Sequence, residues 1–245
     1  MSAAVRSRAL GWSVAVVIPA LNEEAAIQPC IEGVIQSSQL AEHLAALWIV
    51  VVADACTDCT ASRARSAVGS QGEVLECHVR SPGTARQLGV AAALRHFDWT
   101  DPARLWIANT DADTCVPSNW LGQHLRLAEQ GIAAVAGIVR VQDVPGHGPD
   151  LAQRLLADYE VRPDGTHPHV HGANLGVRAD AYLDAGGWSQ LAVAEDHCLW
   201  RRILQRGWRL TSCADSVVIT SGRLVGRARG GFADTLRAKM ECLSV

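Results

Sequence analysis

Short continuous apolar runs punctuate the first half of the chain, and stretches of helical periodicity separate them. Val14, Ala15, Val16, Val17 and Ile18 form the first run, mostly β-branched and ended by Pro19. Such a run reads as a strand buried on both faces, as in a parallel sheet. Asn22 then reads as a helix N-cap, with Glu23 and Glu24 in a first turn where the helix dipole favours negative charge. That helix is expected to run to about residue 37. Further strands are expected at 48–52, 74–79 and 105–109, and helices at 60–68, 84–96 and 120–130. Beyond this the pattern loosens. A strand is expected at 133–141, helices at 179–185 and 196–205, the latter closed by Gly207, and a last strand at 217–219. Residues 143–149 and 163–172 read as Pro/Gly loops, the second rich in histidine. No internal repeat or low-complexity segment is present.

Strand and helix in strict alternation predict an α/β fold with a mostly parallel central sheet flanked by helices. In such sheets ligands bind beyond the carboxyl ends of the strands. The polar residues fall where that rule needs them: Asn22 and Glu23 after the first run, Asp54 after the second, Arg80 after the third, Asp111 and Asp113 after the fourth.

Composition narrows the picture. A length of 245 residues suits one large α/β domain. A net charge of -3 argues against a general nucleic-acid binder, which needs a strongly basic face. Eight cysteines are scattered through the chain, several inside apolar runs, and read as reduced thiols in a reducing, cytoplasmic setting. Arg6 and Arg8 before an apolar stretch resemble a signal peptide. Pro19, Asn22, Glu23 and Glu24 stand where small cleavage-site residues belong, so a buried first strand explains the segment better. No apolar run approaches the ~20 residues that span a bilayer.

Several groupings could carry chemistry. Asp111 and Asp113, flanking Ala112 at a strand end, put two carboxylates near one point, and a hard cation such as Mg²⁺ or Mn²⁺ relieves their repulsion. A surface acid pair is the plainer alternative. Asp54 could accept a hydrogen bond from a base or ribose, or cap the next turn. Asp58 with Thr60 reads as a capping pair. Arg86 follows a Gly-containing loop that opens a helix, a setting that can hold phosphate, although an exposed helical arginine reads as well. Glu195 and Asp196 open a helix; either they cap it or one serves as a general base. His167, His169 and His171 alternate and could share a zinc ion, although Pro168 and the flanking loop favour a mobile surface segment. Cys56 and Cys59 form a lone CxxC. The tail carries Arg223, Arg227, Arg229, Arg237 and Lys239, readable as a solvated face, a phosphate-contacting lid or a peripheral membrane-surface patch.

Taken in order, these segments resemble the family 2 inverting glycosyltransferases with the GT-A fold. The resemblance is carried by residues 16–24, 51–60, 111–113, 171–178, 186–188 and 195–196, and it spans most of the chain. It implies a Rossmann-like nucleotide-sugar-binding half over 1–130, an acceptor and catalytic half over 131–220, and a basic tail over 221–245. It also implies a nucleotide diphosphate sugar as donor, with an acceptor the sequence does not name. Asp54 would contact the base, with Pro19, Leu21 and Glu23 lining the same pocket. Arg86 would lie near the diphosphate and Asp111, beside Ala112, near the ribose. Asp113 would hold the divalent metal, Mn²⁺ or Mg²⁺. Asp196 would be the base with Glu195 beside it, while Gly172, Asn174 and Trp188 would shape the sugar and acceptor side. Departures from the family pattern are Ala53, Ala55 and Cys56 around Asp54. Thr220, Ser221, Gly222 and Arg223 also stand where a metal-binding histidine is common. Two other classes fit parts of the pattern: a nucleotide-sugar-binding protein without catalysis, and a DxD phosphatase of the haloacid-dehalogenase type, whose motif sits on its first strand.

Overall fold

The computed structural model describes residues 11–141, 160–191 and 193–223. The expected loop at 143–149 and the tail residues Arg227, Arg229, Arg237 and Lys239 lie outside them. In chain order the elements are β1 (Trp12–Ala20), α1 (Ile27–Gln39), β2 (Leu44–Asp54), α2 (Thr60–Val68), β3 (Gly72–Cys77), α3 (Pro82–His96), β4 (Leu105–Asn109), β5 (Thr114–Cys115), α4 (Trp120–Glu129), β6 (Ala134–Val141), β7 (Leu175–Arg178), α5 (Ala179–Asp184), α6 (Glu195–Gln205) and β8 (Leu210–Thr220).

Among the described residues one sheet holds eight strands in the order β3-β2-β1-β4-β7-β6-β8-β5. β3, β2, β1 and β4 are mutually parallel, as the apolar runs predict. β7 then runs antiparallel to both β4 and β6, β6 and β8 are parallel, and β5 closes the edge antiparallel to β8. Alternation along β1 divides the core in two. Val14, Val16 and Ile18 face α1, α2 and α4, packing on Ile31, Val34, Ala64 and Leu125. Ala15 and Val17 face the opposite layer, with Val90 and Ala93 of α3, Tyr182 of α5 and Leu199 of α6.

The start of α1 differs from expectation. The helix begins at Ile27 with Ala26 at its N-cap, and neither Glu23 nor Glu24 lies in its first turn. Asn22 adopts φ 54°, and its Oδ1 accepts from the Thr57 N–H at 2.7 Å. The turn leaving β1 needs a left-handed residue, which asparagine tolerates better than most. Asn22 therefore ties the β1 turn to the β2 turn instead of capping the helix. Cys59 is the N-cap of α2, and Asp58 stands one residue before it, its Oδ1 accepting from the Thr60 N–H at 3.0 Å. α3 opens on Ser81, whose hydroxyl accepts from the Thr84 N–H, with Pro82 in the first turn where a missing N–H costs nothing.

Candidate active site

The acidic residues gather where the parallel strands end, and so does the backbone strain. Of the five non-glycine residues with positive φ among the described residues, four lie there: Asn22 after β1, Ala55 after β2, Arg80 after β3 and Ala194 before α6. Left-handed backbone at such positions is costly, and it concentrates at functional rims.

Asp54 is buried at the end of β2. Its two oxygens accept from the N–H groups of Arg80 (2.8 Å) and Ser81 (3.0 Å), which fastens the β2 end to the start of α3. Pro19 lies within β1 opposite Val52, Leu21 follows at the bend, and Glu23 is buried with its N–H donating to the Thr60 hydroxyl at 2.7 Å.

Arg86 is the hub. It projects from α3 into the protein and is 4% exposed. Its Nη2 donates to Asp111 Oδ1 at 2.6 Å and its Nη1 to Glu195 Oε1 at 2.7 Å. The guanidinium lies 5.3 Å from the Trp188 ring, within cation–π range. Gly172 leaves it room: a Cβ there would stand 2.6 Å from the Arg86 Cζ. One cation thus joins the β4 carboxylate to the helix-opening carboxylate of α6. A planar fork suits that task, since it serves two carboxylates at once in fixed directions. Burial opposes the Arg86 charge, and the neighbouring Asp111, Glu195 and Asp196 outweigh it, so its pKa rises further.

Asp196, next along α6, accepts from the Gly172 N–H at 3.0 Å and from the His197 N–H at 2.7 Å. A carboxylate has about four acceptor positions, so lone pairs remain for a further donor. Gly172 therefore touches both the hub and Asp196.

Ala112 is buried in the core, and Asp113 turns toward the end of β8. The Thr220 hydroxyl donates to Asp113 Oδ1 at 3.3 Å, and Arg223 Nη2 stands 3.1 Å from Oδ2. Burial and the neighbouring Asp111 charge push the Asp113 carboxyl up to about 6, with Arg223 opposing. Such a carboxylate favours a cation at contact distance. Among the described residues no group of three His, Cys, Asp or Glu side chains is placed to hold a metal ion. The donor set fits a hard divalent ion that brings most of its shell from phosphate and water, as Mg²⁺ commonly does.

Three further groupings have these surroundings. Asn174 faces the core: its Oδ1 accepts from the Trp120 indole at 2.9 Å, and its Nδ2 donates to the carbonyls of Ile138 and Ser216. It joins helix α4 to strands β6 and β8 and is fully buried. His167, His169 and His171 stack in a row with ring centroids 6.2 and 6.1 Å apart, so their nitrogens do not converge on one ion. Cys56 and Cys59 are free thiols, and the Cys56 thiol donates to the Ala20 carbonyl. Sequence reasoning missed the joint role of Arg86, although a signal existed. Gly83, Ala85, Gly89, Val90 and Ala93 mark the inward face of α3, and Arg86 stands on it. The pairing of Glu23 with Arg223, 200 positions apart, left no local trace.

A parallel half-sheet continued through a reversed strand, with acids at its strand ends, is the GT-A architecture of nucleotide-sugar enzymes. Residues 11–225 match the family described as glycosyltransferase like family 2, and the chain belongs to that family. No curated protein sequence matches. Among solved structures, the chain is similar to the mannosyltransferase PcManGT from Pyrobaculum calidifontis in complex with GDP-Man and Mn²⁺. That match has a TM-score of 0.65 and 22% identity over 95% of this chain and 64% of that one. It is also similar to S. aureus TarS residues 1–349 in complex with UDP-GlcNAc, with a TM-score of 0.63 and 14% identity over 90% of this chain and 61% of that one. The chain spans less than two thirds of either neighbour's length, and these likenesses speak to the fold.

Proposed function

We propose that the protein transfers a glycosyl group from a nucleoside diphosphate sugar to an acceptor hydroxyl in one inverting displacement. The observation that carries this reading is the Asp111–Arg86–Glu195 bridge, which fastens the donor side of the rim to the catalytic start of α6. Asp54 receives the base, with Pro19, Leu21 and Glu23 beside it. Asp111 approaches the ribose, and Asp113 holds the divalent cation. When bound, Mn²⁺ or Mg²⁺ offsets the charge that grows on the departing diphosphate. The two N–H groups that donate to Asp196 fix the direction of its carboxylate. It takes the acceptor proton as the hydroxyl oxygen attacks the anomeric carbon from the face opposite the diphosphate. The free thiols of the seven described cysteines support a cytoplasmic setting.

The phosphatase alternative places its DxD on the first strand, whereas Asp111 and Asp113 follow β4. A binding protein without catalysis is separated by experiment. Asp196→Asn is expected to bind the donor with Mn²⁺ as wild type does and to lose transfer by about 10²–10⁴-fold, the usual worth of a general base. Calorimetric donor titration beside a product assay decides it; equal turnover removes Asp196 from the chemistry.

A further inference from the structure

Arg223 follows β8 and reaches back to two carboxylates that leave separate strands. Its Nη1 donates to Glu23 Oε1 at 2.6 Å, and its Nη2 lies 3.1 Å from Asp113 Oδ2. Glu23 comes from the β1 turn and Asp113 from the β4 turn, and their side chains are only 8% and 11% exposed. Two acids so withdrawn from water need a cation close by. In this structure a guanidinium meets that need. Arg223 is itself 31% exposed, so it is far less enclosed than the groups it holds.

A divalent ion and a guanidinium make the same demand on Asp113, which is direct contact with a carboxylate lone pair. A metal ion on Oδ2 and the Arg223 guanidinium 3.1 Å from the same oxygen would repel each other, so the two compete for it. At equal distance a doubly charged ion attracts a carboxylate twice as strongly as a singly charged one. A displaced guanidinium is also well shaped for phosphate oxygens.

We propose that Arg223 is an exchangeable internal counter-ion. It neutralises Glu23 and Asp113 until the divalent cation engages Asp113, and it then gives up that carboxylate. The assignment of Asp113 to the metal is taken from the function proposed above. The exchange itself is tested without any sugar donor. Mn²⁺ alone is titrated into the protein and followed by the paramagnetic resonance signal of the free ion. Arg223→Gln is expected to bind Mn²⁺ about tenfold more tightly than wild type, because the competitor is gone. Arg223→Lys, which keeps the charge and loses the two-armed reach, is expected to fall between them. In an Asp113→Asn background, Arg223→Gln is expected to change nothing. Circular dichroism and melting curves check that each variant is folded.

Equal or weaker Mn²⁺ binding by folded Arg223→Gln overturns the proposal, and so does an absence of Mn²⁺ binding at millimolar concentration. Arg223→Lys matching wild type while Arg223→Gln binds more tightly also overturns it, since through-space charge would then suffice. The titration reads no turnover. A tightened Arg223→Gln with no detectable transfer by wild type would leave the exchange standing and sink the transferase reading. The converse pair of results would do the opposite.

Discussion

Arg86 concentrates the risk at the residue scale, because a buried cation with two carboxylate partners cannot lose either cheaply. Truncation by Arg86→Ala strands Asp111 and Glu195 together and is expected to cost about 3–5 kcal/mol of folding stability, measured by denaturant unfolding. Arg86→Lys keeps the charge but offers one ammonium for two carboxylates 25 and 109 positions away in sequence. It is expected to fold and to lose most activity; wild-type turnover would show that the fork is unnecessary. His124 supplies a pH signature. It lies fully enclosed in α4, and burial holds its pKa down to about 4 against an ordinary 6.5. The Trp106 indole N–H donates to its Nδ1, and Nε2 meets the Ser216 hydroxyl at 3.4 Å. Between those two pH values the unfolded chain binds more protons. The stabilisation is therefore complete above pH 6.5 and is lost as pH falls toward 4, to the order of 3 kcal/mol. Unfolding curves at pH 4.5 and 7 should show a smaller difference for His124→Gln than for wild type. His171 is shifted the same way by burial, also to about 4, so some acid sensitivity should survive in that variant.

At the scale of elements, legibility followed the range of the causes. β4 and α2 fall on the residues expected, and β1 and β2 extend the expected runs by a few positions, because long apolar runs and helical spacing are local properties. β5 and β7 were invisible. They are two and four residues long, and they exist because distant partners pair with them, Thr114 with Thr220 and Leu175 with Asn109. The acids at the strand ends were visible as a set. Their pairings were not, since Glu23 meets Arg223 and Asp111 meets Glu195, through Arg86, only after the sheet is assembled. The short turn at Gly172–Asn174 shows how an element carries the site. Gly172→Ala would push a methyl into the Arg86 guanidinium while leaving Asn174 in its core bonds. The expected result is a tenfold or greater fall in turnover with a stability loss within the usual ~1–3 kcal/mol of overpacking. Steady-state kinetics beside thermal melts checks this, and unchanged kinetics would show that the hub tolerates displacement.

For the molecule as a whole, the proposed donor should stabilise the native state by mass action. A matching nucleoside diphosphate sugar with Mn²⁺ at a hundredfold excess over its Kd contributes about 2.7 kcal/mol, or a melting shift of roughly 5–10 °C for a chain of this size. A thermal-shift screen of UDP-, GDP- and dTDP-sugars, with and without Mn²⁺, reads this directly. No shift with any of them would count against the transferase reading.

The reversed strand β7 has a consequence for how the gene can be divided. β4 is an interior strand only because β7, which arrives some seventy residues later, covers its outer side. A fragment stopped near residue 130 would display β4 as a naked edge, ready to zip onto a neighbouring chain. Such a fragment should sediment as aggregates when made alone and return to solution when the remainder is co-expressed. The two halves would then behave as complementary pieces and not as separable modules.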